Sequence, residues 1–429
     1  MKKLKPYREI INGDKVIIAN RDTGSWIRIS RQCRDIVCTA CEFSLTNSEI
    51  LESLADDEDR IYINELLKKL KELGVIGDEE KEEVIDVVYL LLTNRCNLKC
   101  IHCCADAADE NSEVYRREMS TQEWTGIIDK IVDIEPGGIV LTGGEPLLRK
   151  DFFEIIRYLR SKYNGKVALA TNATLINDDN VKLLAELIDK FDISIDGVNE
   201  ESCSIVRGKG AYDKVINSVH LLKKNDVKEI TLSMTFGTTN FHLKEKFFEL
   251  NKKLNTKPIV RIFMPKGRGE KSVKKFNSYI QEDIDTVLSE KEIRDAKKSM
   301  KIITCGAGIS EFVVNYDGWI YPCPNMINNK YKLIHMNDVG NLKKLNDEIF
   351  EKNAEGFCQL MNIQPENVKR CKDCKVNLFC WSCLEDIELH IKDEAAFLRR
   401  CENKKKILYQ ILWALCVRIV VSERKKFLW

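Results

Sequence analysis

The chain has 429 residues, of which 44% are hydrophobic, and its formal net charge is only +1. This composition predicts a globular protein of about three domains with no global attraction to nucleic acid or anionic membranes. The charged start of the chain lacks the apolar segment of a signal peptide, and polar side chains interrupt the apolar stretch 407–421. We therefore expect a cytoplasmic protein that neither binds nucleic acid nor spans a membrane.

Seventeen cysteines in such a chain favour metal binding over disulfides, because the cytosol keeps thiols reduced. Eight of them are concentrated between Cys305 and Cys401. Three others, Cys33, Cys38 and Cys41, have a helical spacing and are expected to be small buried residues rather than a further metal site.

Residues 1–82 are predicted to form a winged-helix-like domain. Strand signals at 15–19 and 26–29 precede three helices, the last over residues 63–73. Winged helices often bind DNA, but residues 1–80 hold 13 basic against 16 acidic side chains. A phosphate-binding face needs the opposite balance, so the charge argues against DNA binding.

The next feature is a cysteine-rich loop after the apolar run 87–92, which predicts a buried parallel strand. Cys96, Cys100 and Cys103 are separated by three and then two residues. A 4Fe-4S cluster normally takes four thiolates, so three in one loop predict a cluster with one open iron. A structural zinc site with a fourth ligand and buried unpaired thiols are the alternatives.

Strand and helix signals then alternate along the chain. Six strand-helix units with right-handed crossovers predict an α/β fold, a partly closed, TIM-like (β/α)6 barrel over residues 83–270. The remaining strands are expected at 137–142, 166–171, 191–195, 229–235 and 259–264, and helices at 121–133, 152–162, 179–190 and 212–224.

A Gly-Gly-Glu-Pro motif, residues 143–146, ends the second barrel strand. Gly143 and Gly144 let a ligand approach the backbone closely, and Glu145 can accept a hydrogen bond from an ammonium group. A phosphate-binding loop is the weaker alternative, because no Lys-Ser/Thr pair follows.

The C-terminal region, residues 271–429, carries the remaining cysteine motifs. An Asp-Gly turn predicts a hairpin that brings Cys305 and Cys323 to one end. A zinc ribbon would explain the four-cysteine run from Cys371 to Cys383, but not the others. We expect Cys358, in a loop-like stretch, to be a further ligand. An amphipathic helix is predicted to follow, with Leu408, Ile411, Leu412, Leu415 and Ile419 on one face.

These motifs together resemble the radical S-adenosylmethionine (SAM) superfamily, whose hallmark is Cys-x3-Cys-x-aromatic-Cys; His102 fills the aromatic position here. In that family the open iron binds SAM, and one electron from the cluster yields a 5′-deoxyadenosyl radical that abstracts a hydrogen atom. The resemblance implies the following SAM contacts: the amino group at Gly143, Gly144 and Glu145, the ribose and carboxylate at Asn172, Ser194, Asp196 and Arg207, and the adenine near Met264.

The C-terminal region resembles the SPASM extension of this family, which carries two auxiliary 4Fe-4S clusters, making three in total. The chain departs from that pattern in having two residues rather than three between Cys380 and Cys383. The resemblance implies that Cys371, Cys374, Cys380 and Cys401 hold one cluster and that Cys305, Cys323 and Cys383, with Cys358 as the fourth thiolate, hold the other.

The whole arrangement is similar to that of maturases of ribosomally made peptides. It implies a precursor peptide whose leader segment binds residues 1–82, an electron donor such as flavodoxin or ferredoxin, and a Cys thioether crosslink as the product. The alternatives are a carbon-carbon crosslinking cyclase and a sulfatase-maturase-like oxidase. A non-enzymatic alternative, an iron-sulfur regulator that binds DNA, is disfavoured by the acidic N-terminal segment and the Gly-Gly-Glu-Pro motif.

Overall fold

The computed structural model describes residues 7–77, 84–276 and 288–413. These residues form two compact units, each discontinuous in sequence. The described part of the first unit comprises 7–77, 288–305 and 361–413, and that of the second, the barrel unit, comprises 84–276 and 306–360. The domain boundaries expected after residues 82 and 270 stay predictions.

The strands carry most of the polar site residues at their carboxyl ends. Their bounds are β1 (Arg8–Asn12), β2 (Lys15–Ala19), β3 (Trp26–Ser30), β4 (Val87–Thr93), β5 (Arg95–Cys96), β6 (Ala108–Asp109), β7 (Gly138–Gly143), β8 (Lys166–Thr171), β9 (Lys190–Ser194), β10 (Glu229–Phe236), β11 (Lys257–Ile262), β12 (Glu311–Val314) and β13 (Ile320–Tyr321).

The α-helices alternate with the barrel strands and dominate the end of the chain. Their bounds are α1 (Arg31–Glu42), α2 (Asn47–Glu52), α3 (Asp57–Glu72), α4 (Thr121–Val132), α5 (Phe152–Lys162), α6 (Val181–Leu187), α7 (Glu200–Arg207), α8 (Ala211–Lys224), α9 (Lys244–Leu254), α10 (Val273–Phe276), α11 (Glu290–Ser299), α12 (Leu345–Lys352), α13 (Ala354–Asn362), α14 (Asn377–Cys380), α15 (Leu384–Lys392) and α16 (Glu394–Trp413).

The barrel unit is built on one eight-stranded sheet with the order β11-β10-β9-β8-β7-β4-β12-β13. Six neighbouring strands of this sheet are parallel and occur in the same order along the chain: β4, β7, β8, β9, β10 and β11. The expected α/β fold with a partial barrel is therefore confirmed. Strand β12 extends the sheet parallel to β4, and β13 pairs antiparallel with β12, as expected for a hairpin.

Apolar side chains on the helix-facing side of the barrel sheet form its main core. Leu90, Leu141, Leu169 and Ile193 lie on adjacent strands and are completely buried, as is Trp124 of α4. Burying each such side chain stabilises the fold by about 1.5–3 kcal/mol. Because alternate residues along a strand point to opposite faces, the residues between these core positions point to the other face of the sheet.

The first unit contains a three-stranded antiparallel sheet, β1-β2-β3, and helices α1 to α3. Val16 and Ile18 of the sheet and Leu70 of α3 belong to the same apolar cluster. Helix α3 ends at Glu72, and Gly74 follows with a φ of +69°, a conformation that favours glycine after a helix end. The side-chain amide of Asn20 donates to the carbonyl of Leu73 at 2.9 Å and so fixes this helix end to the sheet.

Two local elements differ from the expectation. Helix α3 begins at Asp57, six residues before the expected start, because Asp56 caps it by accepting from the backbone N–H of Glu58 and its first turn is acidic. Helix α7 was not expected, although Asn199 forms a capping box with Ser202.

The three early cysteines lie on α1 and are half-buried. Cys33 and Cys41 pack against the apolar cluster of the first unit. The Cys38 thiol lies 3.8 Å from the hydroxyl oxygen of Tyr7.

The expected C-terminal amphipathic helix corresponds to α16, in which Leu408, Ile411 and Leu412 are buried. Leu415 and Ile419 lie outside the described residues. Across the described part of the chain, no helix combines the length and the apolar character needed to cross a bilayer.

Candidate functional site

The cysteine loop leaves the carboxyl end of β4 in the barrel unit. Cys96 and Cys100 are buried, and Cys103 is half-buried. Backbone hydrogen bonds join the start of this loop to the end of β7: the N–H of Gly144 donates to Thr93 at 2.7 Å, and that of Glu145 to Arg95 at 2.8 Å. The loop is thus held against the neighbouring strand end.

The paired glycines are required by this close approach of two backbones. Gly143 has a φ of +144°, and a Cβ atom on it would lie 2.2 Å from the carbonyl oxygen of Thr93. A Cβ atom on Gly144 would lie 2.2 Å from the carbonyl oxygen of Arg95. The sequence led us to expect a close ligand, whereas here the close neighbour is the cysteine loop itself.

Glu145 connects the end of β7 to the end of β8. Its fully buried carboxylate accepts hydrogen bonds from the Thr171 hydroxyl and the Asn172 backbone N–H, both at 2.8 Å. Burial raises the pKa of Glu145, and these hydrogen bonds act in the opposite direction. The hydrogen bonds therefore offset part of the cost of burying this carboxylate.

Asn172 extends this network to the cysteines. Its side-chain amide Nδ2 lies 3.7 Å from Cys96 Sγ and donates to Asn97 Oδ1 at 2.9 Å. Asn97 in turn donates to the hydroxyl of Thr174 at 2.9 Å. The β8 end therefore contacts the cysteine loop directly.

The second half of the site is a buried charge cluster formed by His102, Asp196 and Arg207. Asp196, just beyond β9, lies 2.7 Å from His102 Nε2 and accepts from Arg207 Nε at 2.8 Å. Burial alone would raise the pKa of Asp196, but Arg207 and His102 hold it well below its usual value. Arg207 Nη1 also lies 3.7 Å from Cys100 Sγ, which joins the cluster to the loop.

His102 has one ring nitrogen left for another partner. Nδ1 is buried and has no hydrogen-bond partner among the described residues. The ring stacks on Phe276 with a centroid distance of 5.8 Å. Buried polar atoms in this state are uncommon and point to an additional ligand or water.

Two expected site residues lie farther along the strand ends. The Ser194 hydroxyl pairs with that of Ser233 at 3.4 Å. Met264 lies beyond β11 rather than at its expected end, and its carbonyl accepts from the N–H of Lys266 at 2.9 Å.

The segment after β11 supports the cysteine loop, which the sequence did not reveal. The backbone N–H of Arg268 donates to the carbonyl of Cys103 at 3.0 Å, and its Nε donates to that of Cys100 at 3.1 Å. The Ser272 hydroxyl donates to the Ile101 carbonyl at 2.7 Å. The sequence feature that could have indicated this support is Gly-Arg-Gly at 267–269, which begins five residues after the end of β11.

A buried ion-pair network lies behind the loop. Glu118 binds Arg95 at 3.0 Å and accepts a hydrogen bond from Thr93. Arg149 donates to the Leu92 carbonyl at 2.8 Å and lies 4.0 Å from Glu118. These charges fix the backbone immediately before Cys96.

A cavity of about 790 Å³ adjoins the charge cluster. Its walls include Ile101, Asp196, Val206 and Met234, and Lys246 contributes a positive charge. This volume lies in the range of small-molecule sites.

The loop thiols have the donor chemistry that a metal cluster needs. Burial raises the pKa of Cys96 to about 11 and also raises that of Cys100, on which Arg207 has the opposite effect. A bound metal cation offsets this cost, because it stabilises the thiolates. Within the described ranges, no three His, Cys, Asp or Glu side chains converge on a single metal ion.

The late cysteines of the first unit include four that share one neighbourhood. Cys374 and Cys401 each raise the pKa of Cys371 electrostatically, and Cys371 and Cys401 do the same for Cys380. Burial raises the pKa of Cys371 to about 11 and that of Cys380 to about 12. The expected cluster at these four cysteines stays a prediction.

The remaining expected ligands are divided between the units. Cys305 and Cys383 belong to the first unit, and Cys305 raises the pKa of Cys383 electrostatically. Cys323 and Cys358 belong to the barrel unit. Cys358 is exposed on helix α13, so the expected loop was wrong: the sequence around Gly356 continues as helix.

Comparison with known proteins assigns the barrel. Residues 90–250, from β4 to α9, match the radical SAM superfamily. The chain carries a radical SAM domain. This radical SAM domain contains the cysteine loop and the Gly-Gly-Glu-Pro motif.

Curated relatives are similar to part of this chain. The AdoMet-dependent heme synthase of Methanosarcina barkeri is 36% identical over 184 residues, which are 42% of this chain; the chain thus spans about half of that protein. The mycofactocin maturase MftC of Mycolicibacterium smegmatis is 26% identical over 327 residues, 69% of this chain and 78% of that protein.

Among solved structures, Streptococcus suis SuiB bound to S-adenosylmethionine shares the fold of the radical SAM domain and its flanking regions. Its TM-score is 0.51 at 16% identity, with 92% of this chain and 97% of that chain covered.

Proposed function

We propose that this protein is a radical SAM enzyme that modifies a ribosomally made precursor peptide. A radical SAM domain implies SAM and a 4Fe-4S cluster. The observation that carries the proposal is the three-thiol loop at the end of β4, directly joined to polar side chains from β8 and the β9–α7 region. When bound, the cluster and SAM supply a 5′-deoxyadenosyl radical that removes a hydrogen atom from the substrate.

In this proposal Cys96, Cys100 and Cys103 hold the radical-generating cluster. Arg207 and Arg268 favour negative charge on Cys100. Asn172 orients the loop through its contacts with Cys96 and Asn97. These residues bind and position groups rather than transfer protons.

The SAM contacts are proposed at the strand ends around the loop. The paired carboxylate-guanidinium of Asp196 and Arg207 is buried and suited to the polar part of SAM. His102 Nδ1 offers an unused polar atom within the same cluster. The proposed SAM-binding residues are His102, Gly143, Gly144, Glu145, Asn172, Ser194, Asp196, Arg207 and Met264.

The peptide substrate is supported by the N-terminal sheet and by two relatives. SuiB has been crystallised with its precursor peptide SuiA, and MftC is a mycofactocin maturase. In this chain, strands β1 and β3 form the two edges of the small sheet. We propose that a leader segment adds to one of these edges.

Within this class we favour a Cys thioether as the product, with a flavodoxin or ferredoxin as the electron donor. A carbon-carbon crosslink and a sulfatase-maturase-like oxidation are the alternative products. Product analysis by tandem mass spectrometry distinguishes them, because a thioether blocks alkylation of the precursor cysteine whereas a carbon-carbon bond leaves it reactive.

Two auxiliary clusters complete the proposal. One is held by Cys371, Cys374, Cys380 and Cys401, which share one neighbourhood in the first unit. The other takes Cys305, Cys323 and Cys383, with Cys358 as the fourth ligand. Replacing Cys358 by alanine should change the Mössbauer spectrum of that cluster; an unchanged spectrum would mean that Cys358 binds no iron.

The radical centre is tested by a triple variant, Cys96→Ala, Cys100→Ala and Cys103→Ala, reconstituted without oxygen. It should lose production of 5′-deoxyadenosine, because alanine cannot ligate iron. The control is Cys104→Ser, an exposed thiol of the same loop, which should retain production. Production by the triple variant would show that the assignment is wrong.

Peptide binding is tested by hydrogen exchange with the full chain. Adding the precursor should slow exchange in β1 or β3 and leave β7 and β8 unchanged, since strand addition protects edge amides. Tight binding without slower exchange anywhere in residues 8–30 would contradict leader binding at this sheet.

A further inference from the structure

Both faces of the N-terminal sheet in the first unit are covered. Ile18 and Ile29 pack on the side of helices α1 to α3. On the opposite side, which we call the outer face, Ile17 and Ala19 have no exposed surface, and Ile10 is 5% exposed. A winged-helix-like sheet would by itself expose this apolar surface, so its covering is informative.

The segment between Cys374 and Cys380 provides part of this cover. Val376 and Leu378 are 1% and 2% exposed and belong to one apolar cluster with the outer face. The ring of Phe379 meets that of Trp26 edge to face, with centroids 5.1 Å apart. Cys374 and Cys380 themselves pack against the same cluster.

Hydrogen bonds fix this segment in place. The backbone N–H of Ile303 donates to the Leu378 carbonyl, and Trp413 Nε1 donates to the Lys375 carbonyl, both at 2.8 Å. On the sheet, Trp26 Nε1 donates to the Met300 carbonyl at 2.9 Å. The segment and the outer face thus pack together through apolar contacts, and each is hydrogen-bonded to residues 300–303.

Ion pairs also join the N-terminal sheet to the chain just before Cys371, the first of the four cysteines. Glu366 binds Arg8 of β1 at 2.7 Å and Arg21 at 2.8 Å. Arg21 also donates to Gln364, which is 3% exposed, at 2.9 Å. The sheet is therefore anchored to the chain on the approach to Cys371 as well as to the segment between the cysteines.

We propose that the four-cysteine site is a structural clamp for the N-terminal sheet, so that loading the site with its cluster and ordering the outer face are one linked equilibrium. A metal that bridges Cys374 and Cys380 closes the five-residue loop whose side chains cover the outer face. Metal-binding free energy then becomes folding free energy of the sheet. The inference rests on the cluster proposed at these cysteines.

This clamp gives the cluster a function separate from electron transfer. If the peptide adds to an edge of the same sheet, its affinity depends on the cluster, because an edge strand must be ordered before it can template another strand. A chain without this cluster should bind the precursor more weakly even though no residue of the peptide-binding edge has changed.

The test compares wild type and the double variant Cys374→Ala, Cys380→Ala, which leaves only two of the four thiolates, as full chains reconstituted without oxygen. Iron content is measured first, and hydrogen exchange of peptides from β1 to β3 second. We expect the double variant to lose about one cluster's iron and to exchange at least tenfold faster in β1 to β3, with unchanged exchange in β7 and β8. Cys104→Ser serves as the control with all four ligands intact.

Two outcomes distinguish failure of the clamp from failure of the cluster site proposed at the four cysteines. Iron loss with unchanged exchange in β1 to β3 would refute the clamp but leave the cluster site standing. Iron content equal to wild type would remove the proposed site itself and the clamp with it.

A reciprocal experiment leaves all the cysteines in place. Trp26→Ala removes the ring that meets Phe379 and should speed iron release to a chelator several-fold. Trp26→Phe keeps an aromatic ring but loses the hydrogen bond to Met300, so its release rate should lie between the two. Equal rates in all three proteins would contradict the clamp.

Discussion

The two cysteine-rich regions have opposite surroundings. The barrel loop that carries Cys96 and Cys100 is contacted by Asn172 and Arg207, polar side chains from neighbouring strand ends. The segment from Cys374 to Cys380 is instead packed among apolar side chains of the N-terminal sheet and α16.

This difference indicates that the cysteines of the two regions have different functions. Polar and charged neighbours can bind a polar cofactor and stabilise charge at the barrel loop. Under the proposed clamp, apolar packing around the other segment would couple cluster binding to the stability of the N-terminal sheet. Substitutions near the first region should therefore affect cofactor binding, and those near the second should affect order in the first unit.

The largest effect is expected from Asp196→Asn. The substitution leaves Arg207 buried without its counter-charge, which should cost about 3–5 kcal/mol of local stability. Hydrogen exchange in α7 and the cysteine loop measures it. Asp226→Asn, whose side chain is 90% exposed, is the control and should have almost no effect. An equally small effect of Asp196→Asn would contradict the claim that buried charges stabilise the surroundings of the barrel loop.

Leu378→Ala tests the apolar side. Removing this buried side chain should destabilise the first unit by about 3 kcal/mol, since a cavity remains against the sheet. The variant should exchange faster in β1 to β3 and leave the barrel loop unchanged. Leu398→Ala on α16, where the side chain is 46% exposed, is the matched control. Faster exchange confined to the barrel unit would reverse the comparison.

Gly144→Ala should have an effect of about 2 kcal/mol by overpacking, because its Cβ atom would meet the Arg95 carbonyl. SAM binding measured by calorimetry should weaken as the cysteine loop shifts. Gly126→Ala in α4, where a Cβ atom meets nothing within 4 Å, should be neutral or slightly stabilising. Unchanged SAM affinity in Gly144→Ala would argue against a tightly fixed loop.

The smallest effect concerns the charged junction at Glu366. Burial alone would raise its pKa, but Arg8 and Arg21 hold the pKa below its usual value. The ion pairs therefore contribute stability above the unfolded-state pKa of about 4.3 and lose it as the pH falls further. The Tm difference between wild type and Glu366→Gln should be full at pH 7 and smaller at pH 4. A difference that grows on acidification would contradict this sign.

Local patterns predicted much of the barrel. Strand β8 and helix α5 have the bounds expected from the sequence, because a continuous apolar run and a periodic apolar face are strong short-range signals. Helix α7 was missed because it has only eight residues, a length over which periodicity does not distinguish a helix from a loop. The pairing of β12 with β4 was not foreseen either, since it joins residues more than two hundred positions apart.

The site was predictable in its residues more than in its contacts. Spacing alone singled out Cys96, Cys100 and Cys103. The support given by Arg268 and the burial of the outer face of the sheet depend on tertiary packing, for which a single sequence carries no local signal.

The central claim is that the Cys96 loop holds the SAM-binding cluster. Electron paramagnetic resonance of the reduced full-length protein, recorded with and without SAM, tests it most directly. We predict that SAM changes the spectrum of one cluster in wild type and in Cys104→Ser, and that this SAM-dependent change is lost in Cys96→Ala. A SAM-dependent change that persists in Cys96→Ala would contradict the claim.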